Sequence, residues 1–258
     1  MVRASVIGCG NMGSALIRGL SRIDEHTVIA CDVDPAALEA VSDDCAETTT
    51  DPAAASDTDV VVVAVKPGLV LDVVTDLDLS PEQTLISFAA GVPTTALEEY
   101  TDAAVVRIMP NLAAETGNMA AAATGSEIPD DVKALLDAVG EFVEVEESQM
   151  DIATAVNGSG PAFVFYLIGA MRDAGVDAGL EPEDAEVLAA QTFKGAAETV
   201  LRSDRDIAEL IDAVCSPKGT TIEGMEALWE STADEAVGEA VSAAEERSAE
   251  LAEAFDDE

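Results

Sequence analysis

The chain has 258 residues, 48% of them hydrophobic, and carries 52 acidic against 12 Lys and Arg side chains, a formal net charge of −40. Carboxylates spread through an ordinary globular pattern exclude a disordered solvating segment, and they make nucleic acid and anionic membrane poor partners. Four cysteines without C-x-x-C spacing and one histidine, His26, exclude a disulfide scaffold and predict no metal site.

Repulsion among so many carboxylates is relieved by salt, so the composition reads as that of a halophile, a salt-accumulating organism. There is no cationic N-region with an apolar core. No apolar run of spanning length is read either, and a cytoplasmic protein is expected.

In chain order, an apolar run from Val2 to Ile7 leads into Gly8-Cys9-Gly10-Asn11-Met12-Gly13, and helical spacing follows from Ser14 to Leu20. Strand, G-x-G-x-x-G and helix together form a dinucleotide fingerprint. Gly8 permits the tight turn, Gly10 lets the backbone approach a pyrophosphate, and Gly13 lets helix and strand pack closely. A second strand, Thr27 to Cys31, ends at Asp32. An acid about 20 positions past the glycines receives the adenosine ribose hydroxyls, which favours NAD over NADP. In so acidic a chain it is equally an ordinary surface residue, and both readings stand.

Further strands are expected at Val60 to Val65, Thr84 to Ser87, Ala104 to Ile108, Ala120 to Ala123 and Phe142 to Val145. Helical patterns intervene at Ala36 to Val41, Leu69 to Thr75 and Val132 to Val139. This alternation predicts an α/β, Rossmann-like domain over residues 1–147, a parallel, doubly wound sheet with ligands beyond the carboxyl ends of its strands. From residue 148 to 258 strand signals stop. Helices are expected at Ala162 to Ala174, Glu183 to Leu201, Ile207 to Val214 and from Thr221 to the tail. The second domain is therefore all-helical, and its apolar faces predict burial against a second copy.

The segment Val214-Cys215-Ser216-Pro217-Lys218-Gly219-Thr220-Thr221 places a Ser-Pro turn, a glycine and two hydroxyls before a helix. Such a turn aims N–H and O–H groups at a small anion, while Ser and Thr before a helix also serve as ordinary caps.

Seven segments, in order, carry a resemblance to the pyrroline-5-carboxylate reductase family. They are the N-terminal glycine motif, Val65-Lys66-Pro67, Ser87-Phe88-Ala89-Ala90-Gly91-Val92, Arg107-Ile108-Met109-Pro110-Asn111, Asn157-Gly158-Ser159-Gly160-Pro161-Ala162-Phe163, Gln191-Thr192-Phe193-Lys194-Gly195-Ala196-Ala197 and the Ser216 turn. Members usually carry Gly-Gly where this chain has Lys218-Gly219.

The resemblance implies reduction of Δ1-pyrroline-5-carboxylate to L-proline by hydride from NADPH or NADH, the last step of proline biosynthesis. It implies Thr221 and Ser216 as catalytic, with Ser216, Lys218, Gly219, Thr220 and Thr221 around the substrate. Gly8, Gly10, Asn11, Met12, Gly13, Asp32, Val65, Lys66, Pro67 and Asn111 would hold the cofactor. It also implies a homodimer through the helical domains, which some members extend into rings of dimers. Two other readings stay open from the residues alone. One is a hydroxy-acid dehydrogenase using Lys194 as acid–base group, and the other is a non-catalytic nucleotide-binding protein.

Overall fold

The structure, a computed structural model, describes residues 1–23 and 25–256. Contacts divide the chain into two compact units, residues 1–159 with 242–258, and residues 160–241. The division falls later than the expected boundary after 147, and the end of the chain returns to the first unit.

The first unit is built on one eight-stranded sheet in the order β3-β2-β1-β4-β5-β6-β7-β8. The strands are β1 (Val2–Ile7), β2 (His26–Cys31), β3 (Glu47–Thr49), β4 (Val60–Val63), β5 (Thr84–Ser87), β6 (Ala104–Met109), β7 (Met119–Gly125) and β8 (Gly140–Glu144). All four valines of β4 are buried, as a strand covered on both faces requires. Val60 and Val62 join one apolar cluster and Val61 and Val63 the other, so the period-two pleat divides the core across the sheet.

The expected all-parallel sheet needs one correction, because β7 runs antiparallel to β6. Only residues 110–118 join them, a 3₁₀ turn closed by Gly117 at φ 71°, and a parallel crossover needs about a dozen residues or more. The short, largely exposed β3, Glu-Thr-Thr, was not anticipated, since it has no apolar alternation to find.

Helices α1 (Asn11–Ser21), α2 (Pro35–Glu39), α3 (Pro52–Ala55), α4 (Val70–Thr75), α5 (Thr94–Glu98) and α6 (Asp130–Asp137) flank the sheet. Then α7 (Met150–Ala153) passes through a π-helical turn, Thr154–Gly158, into α8 (Gly160–Asp177).

The second unit holds α8, α9 (Pro182–Arg202), α10 (Ile207–Val214), α11 (Thr220–Trp229) and the start of α12 (Ala233–Asp256). Two residues past the end of α8, Gly179 takes φ 103°, with the N–H of Leu180 donating to the Gly175 carbonyl at 3.0 Å. That left-handed stop suits only glycine well. The helix expected from Thr221 to the tail is instead two, broken at residues 230–232, where the Ser231 hydroxyl accepts from the N–H of Ala233.

Among the described residues of this unit only Ala185 and Ala189 are buried. Phe165 and Tyr166 are 70% and 78% exposed, so the unit's apolar faces are largely uncovered within one chain. The continuous helical run Glu147–Asp177 is also long and apolar enough to cross a membrane by length and composition. This corrects the expectation that no segment is: its scattered polar residues leave an 18-residue stretch with mean hydropathy 1.3.

The end of α12 belongs to the first unit. The Ser248 hydroxyl donates to Asp151 at 2.7 Å, and a Cβ added at Gly91 would lie 3.0 Å from the Ala252 backbone.

Candidate active site

The nucleotide loop joins β1 to α1. Gly8 has φ 99°, and a Cβ there would sit 2.9 Å from the Ala64 carbonyl. At Gly13 a Cβ would come within 1.9 Å of the Gly8 oxygen, so neither position accepts a side chain. Gly10 is exposed, and a Cβ there meets nothing within 4 Å. It is also the N-cap of α1 and gives no side-chain cap, leaving the first N–H groups of an eleven-residue helix open. Closed glycines beneath and an open, uncapped helix end in front fit the diphosphate of a dinucleotide.

Cys9 lies in this loop with its thiol pushed up to about 12, chiefly by burial and then by the Asp32 carboxylate. Burial likewise pushes Cys31 up to about 11. Both stay neutral near pH 7 and place no thiolate beside the phosphates.

Asp32 closes β2. Its Oδ2 accepts from the N–H of Cys9 at 2.7 Å, and its Oδ1 accepts from the N–H of Asp34 at 2.8 Å. The Val65-Lys66-Pro67 segment follows β4 on the same side of the unit. Val65 Cγ1 would be 3.0 Å from a Cβ at Gly8, which places this loop against the glycine turn. Lys66 is extended and exposed, caps the 3₁₀ turn Pro67–Leu69, and has no carboxylate within ion-pair distance among the described residues.

Asn111, just past the end of β6, is engaged within the first unit. It is 8% exposed, and its Oδ1 accepts from the N–H groups of Ala113 and Ala120 at 3.1 and 3.3 Å. Its Nδ2 donates to the Asn157 carbonyl at 3.1 Å. The amide is engaged in holding β7 and the π-helical turn, and only one of its N–H bonds is left for anything else.

Two groups escaped sequence reasoning. Asn157 donates to the carbonyls of Met109 and Ala120 at 2.6 and 2.9 Å. Arg107, 4% exposed on β6, pairs with Glu147, which also accepts from the Thr94 hydroxyl at 3.4 Å. Both residues lie in quoted motifs, but a motif does not tell an internal clamp from a ligand contact.

The second candidate group lies in the helical unit. The Gly219 N–H donates to the Ser216 carbonyl at 2.9 Å, closing a turn with Pro217 and Lys218 at its centre. Lys218 has φ 60°, the only non-glycine positive φ among the described residues. The turn therefore needs a left-handed residue at its third position, a conformation glycine adopts without strain.

Gly219 is the N-cap of α11, and a Cβ on it would meet Ser216 Oγ at 2.4 Å. Thr220 and Thr221 are the first two residues of the helix proper. The capping alternative for Thr221 is therefore overturned, because the cap position belongs to Gly219. Ser216, Lys218, Thr220 and Thr221 are exposed within this chain.

A family model described as pyrroline-5-carboxylate reductase dimerisation matches residues 147–251, and one described as NADP oxidoreductase, coenzyme F420-dependent, matches residues 3–91. A pyrroline-5-carboxylate reductase of Methanosarcina acetivorans is 40% identical over 95% of this chain and 96% of its own length. The chain belongs to the pyrroline-5-carboxylate reductase family.

Among solved structures, the reductase of Coxiella burnetii is similar with a TM-score of 0.87 and 30% identity, covering 97% of this chain and 98% of its own. The Plasmodium falciparum pyrroline carboxylate reductase, solved with NADP bound, gives a TM-score of 0.81 at 28% identity over 97% of this chain and 98% of its own. The family match for the dimerisation domain begins at 147, whereas the compact helical unit begins at 160. The uncovered helical faces are thus those of a dimerisation domain in an oligomeric, NAD(P)H-dependent oxidoreductase.

Proposed function

We propose that this chain reduces Δ1-pyrroline-5-carboxylate to L-proline, taking hydride from NADPH or NADH. The observation that carries the reading is the Ser216–Thr221 turn. It opens into a helix whose cap is glycine, so the hydroxyls beside it are free to face a substrate. Full-length likeness to reductases of this activity supports it.

The cofactor supplies the hydride when bound, and the residues do the rest. Backbone N–H groups of Thr220 and Thr221, with the Ser216 hydroxyl, are the donors for the substrate carboxylate at the start of α11, where Gly219, its own N–H closing the turn, brings no side chain. Lys218 adds a positive charge to the same turn. The Thr221 hydroxyl hydrogen-bonds the ring nitrogen. Protonation of that nitrogen draws electrons from the C=N carbon, and the nitrogen keeps the proton as the double bond becomes single. One hydride and one proton per ring give proline and the oxidised nucleotide.

In the other unit, the N–H groups of Asn11, Met12 and Gly13 hold the diphosphate, with Gly8 and Gly10 giving it room. Asp32 receives the adenosine ribose, and Val65, Lys66 and Pro67 flank the nicotinamide end. Asn111 contributes by fixing the carboxyl end of β6.

The partner is a second copy, so that the helical domains form a homodimer at least, with rings of dimers as a further assembly. The apolar Glu147–Asp177 run serves that interface and not a bilayer. Nucleic acid is excluded by charge, and we place the enzyme in the cytoplasm of a halophile. Lys194, on which a hydroxy-acid dehydrogenase would depend, is exposed on α9 with no hydrogen bond or ion pair among the described residues. The test is isotopic: cofactor deuterated at the transferring position should deliver its label to the former C=N carbon of proline. Unlabelled proline, or none, would refute the reading.

A further inference from the structure

The floor of the nucleotide loop has a charge pattern that bears on which cofactor enters it. Asp32 is fixed by two backbone donors, Cys9 and Asp34, one on each carboxylate oxygen. Each oxygen keeps a second acceptor site. Asp34 caps α2, its Oδ1 accepting from the N–H of Ala36 at 2.9 Å, and Asp51 caps α3 in the same way at 3.0 Å. The charges of Asp32 and Asp51 both reach the Cys31 thiol, so the carboxylates cluster at the carboxyl end of β2.

No cation offsets them in the neighbouring sequence. From residue 23 to 65 the chain has no Lys or Arg. Arg18, on α1, is already engaged by the Ala40 carbonyl, Asp44 and Glu115. A ribose with free hydroxyls donates hydrogen bonds to such an acid. A 2′-phosphate brings further negative charge and no donor to the same place.

We propose that this chain selects NADH over NADPH and that Asp32 is the residue that decides. This departs from the cofactor named for the matching N-terminal family model and from the NADP held by the Plasmodium structure. It rests on the reading of this loop as the cofactor half of the reductase. Multimolar salt weakens long-range repulsion but not a contact between a carboxylate and a phosphate, so the selection persists in the conditions this acidic surface suits.

The test uses ligands that need neither the nicotinamide nor the substrate. ADP-ribose and 2′-phospho-ADP-ribose are titrated calorimetrically into the full chain in multimolar KCl, alongside NADH and NADPH. The unphosphorylated member of each pair should bind about tenfold tighter or more. Asp32→Ser should shrink or reverse that ratio by about tenfold. Because Asp32 also orders the loop, a second variant leaves it in place: Val33, 85% exposed beside it, is changed to Arg. Val33→Arg should favour the phosphorylated ligands.

Equal or tighter binding of the 2′-phosphorylated ligands, or a ratio that neither variant moves, would overturn the proposal. Binding of neither ligand to folded protein would overturn the cofactor half as well. Selective fragment binding without turnover would refute the reductase and leave the selection standing.

Discussion

Asn111 donates to the backbone of Asn157, and the two side chains hold the same strand ends in the first unit. The Asn111 Nδ2 donates to the Asn157 carbonyl at 3.1 Å, while the Asn157 Nδ2 donates to the carbonyls of Met109 and Ala120 at 2.6 and 2.9 Å. Together they tie the end of β6, the start of β7 and the π-helical turn that precedes α8. Both stand in motifs shared with the reductases, and in this chain the motifs maintain the frame around the site.

Replacing Asn157 by Ala leaves two carbonyls without their donor. Thermal or denaturant unfolding should show a loss of about 1–3 kcal/mol. Asn157→Asp should do no better, because a carboxylate cannot donate to either carbonyl. Native stability in both variants would contradict the clamp.

Arg107 is a buried cation whose Nε and Nη2 have no hydrogen-bond partner among the described residues and whose charge is met by Glu147. Glu147→Gln should cost about 2–4 kcal/mol, less than for a fully buried pair because the glutamate side chain is 35% exposed. Adding Arg107→Met to that variant should restore part of the loss, since the stranded charge is then gone. Equal instability of the single and double variants would show that packing, not charge, is at issue.

Much of this was legible in the sequence, but unevenly. β4 lies in an apolar run between Asp59 and Lys66, β5 is an apolar pair flanked by Thr84 and Ser87, and the glycine motif declared both its turn and its helix. The reversal of β7 was not legible, because hydrophobic period says which residues are buried and nothing of strand direction. Asn111 was ambiguous for a related reason. A polar residue at a strand end suits a ligand and a capping turn equally, and only its hydrogen-bond partners tell them apart. Arg107 stands in a motif that says nothing of its burial, which only the structure shows.

Thr221 is the second residue of α11, not its cap. Thr221→Ala should therefore change stability by less than about 0.5 kcal/mol, within the range of ordinary surface changes. Turnover should fall by the equivalent of about 1–3 kcal/mol, the loss of one hydrogen bond that strengthens as the ring nitrogen becomes an amine. Unfolding curves and steady-state kinetics on the same preparation decide it. Unchanged kcat/KM would remove Thr221 from the mechanism.

Lys218 holds a left-handed conformation at φ 60° that glycine adopts freely. Lys218→Gly should raise stability by about 0.5–1 kcal/mol, the relief of strain less the added freedom of the unfolded chain. If the ammonium group meets the substrate carboxylate, KM should rise while kcat holds. A more stable variant with unchanged KM would leave Lys218 as an exposed charge alone.

The most direct measurement is the reaction itself, followed as loss of reduced-nicotinamide absorbance when pyrroline-5-carboxylate is added, with proline identified as the product. It should be run at low salt and in multimolar KCl, with circular dichroism reporting the folded fraction. The account predicts turnover that rises with salt as screening restores the fold of a chain with net charge −40. Folded protein that forms no proline from either NADH or NADPH at high salt would contradict it.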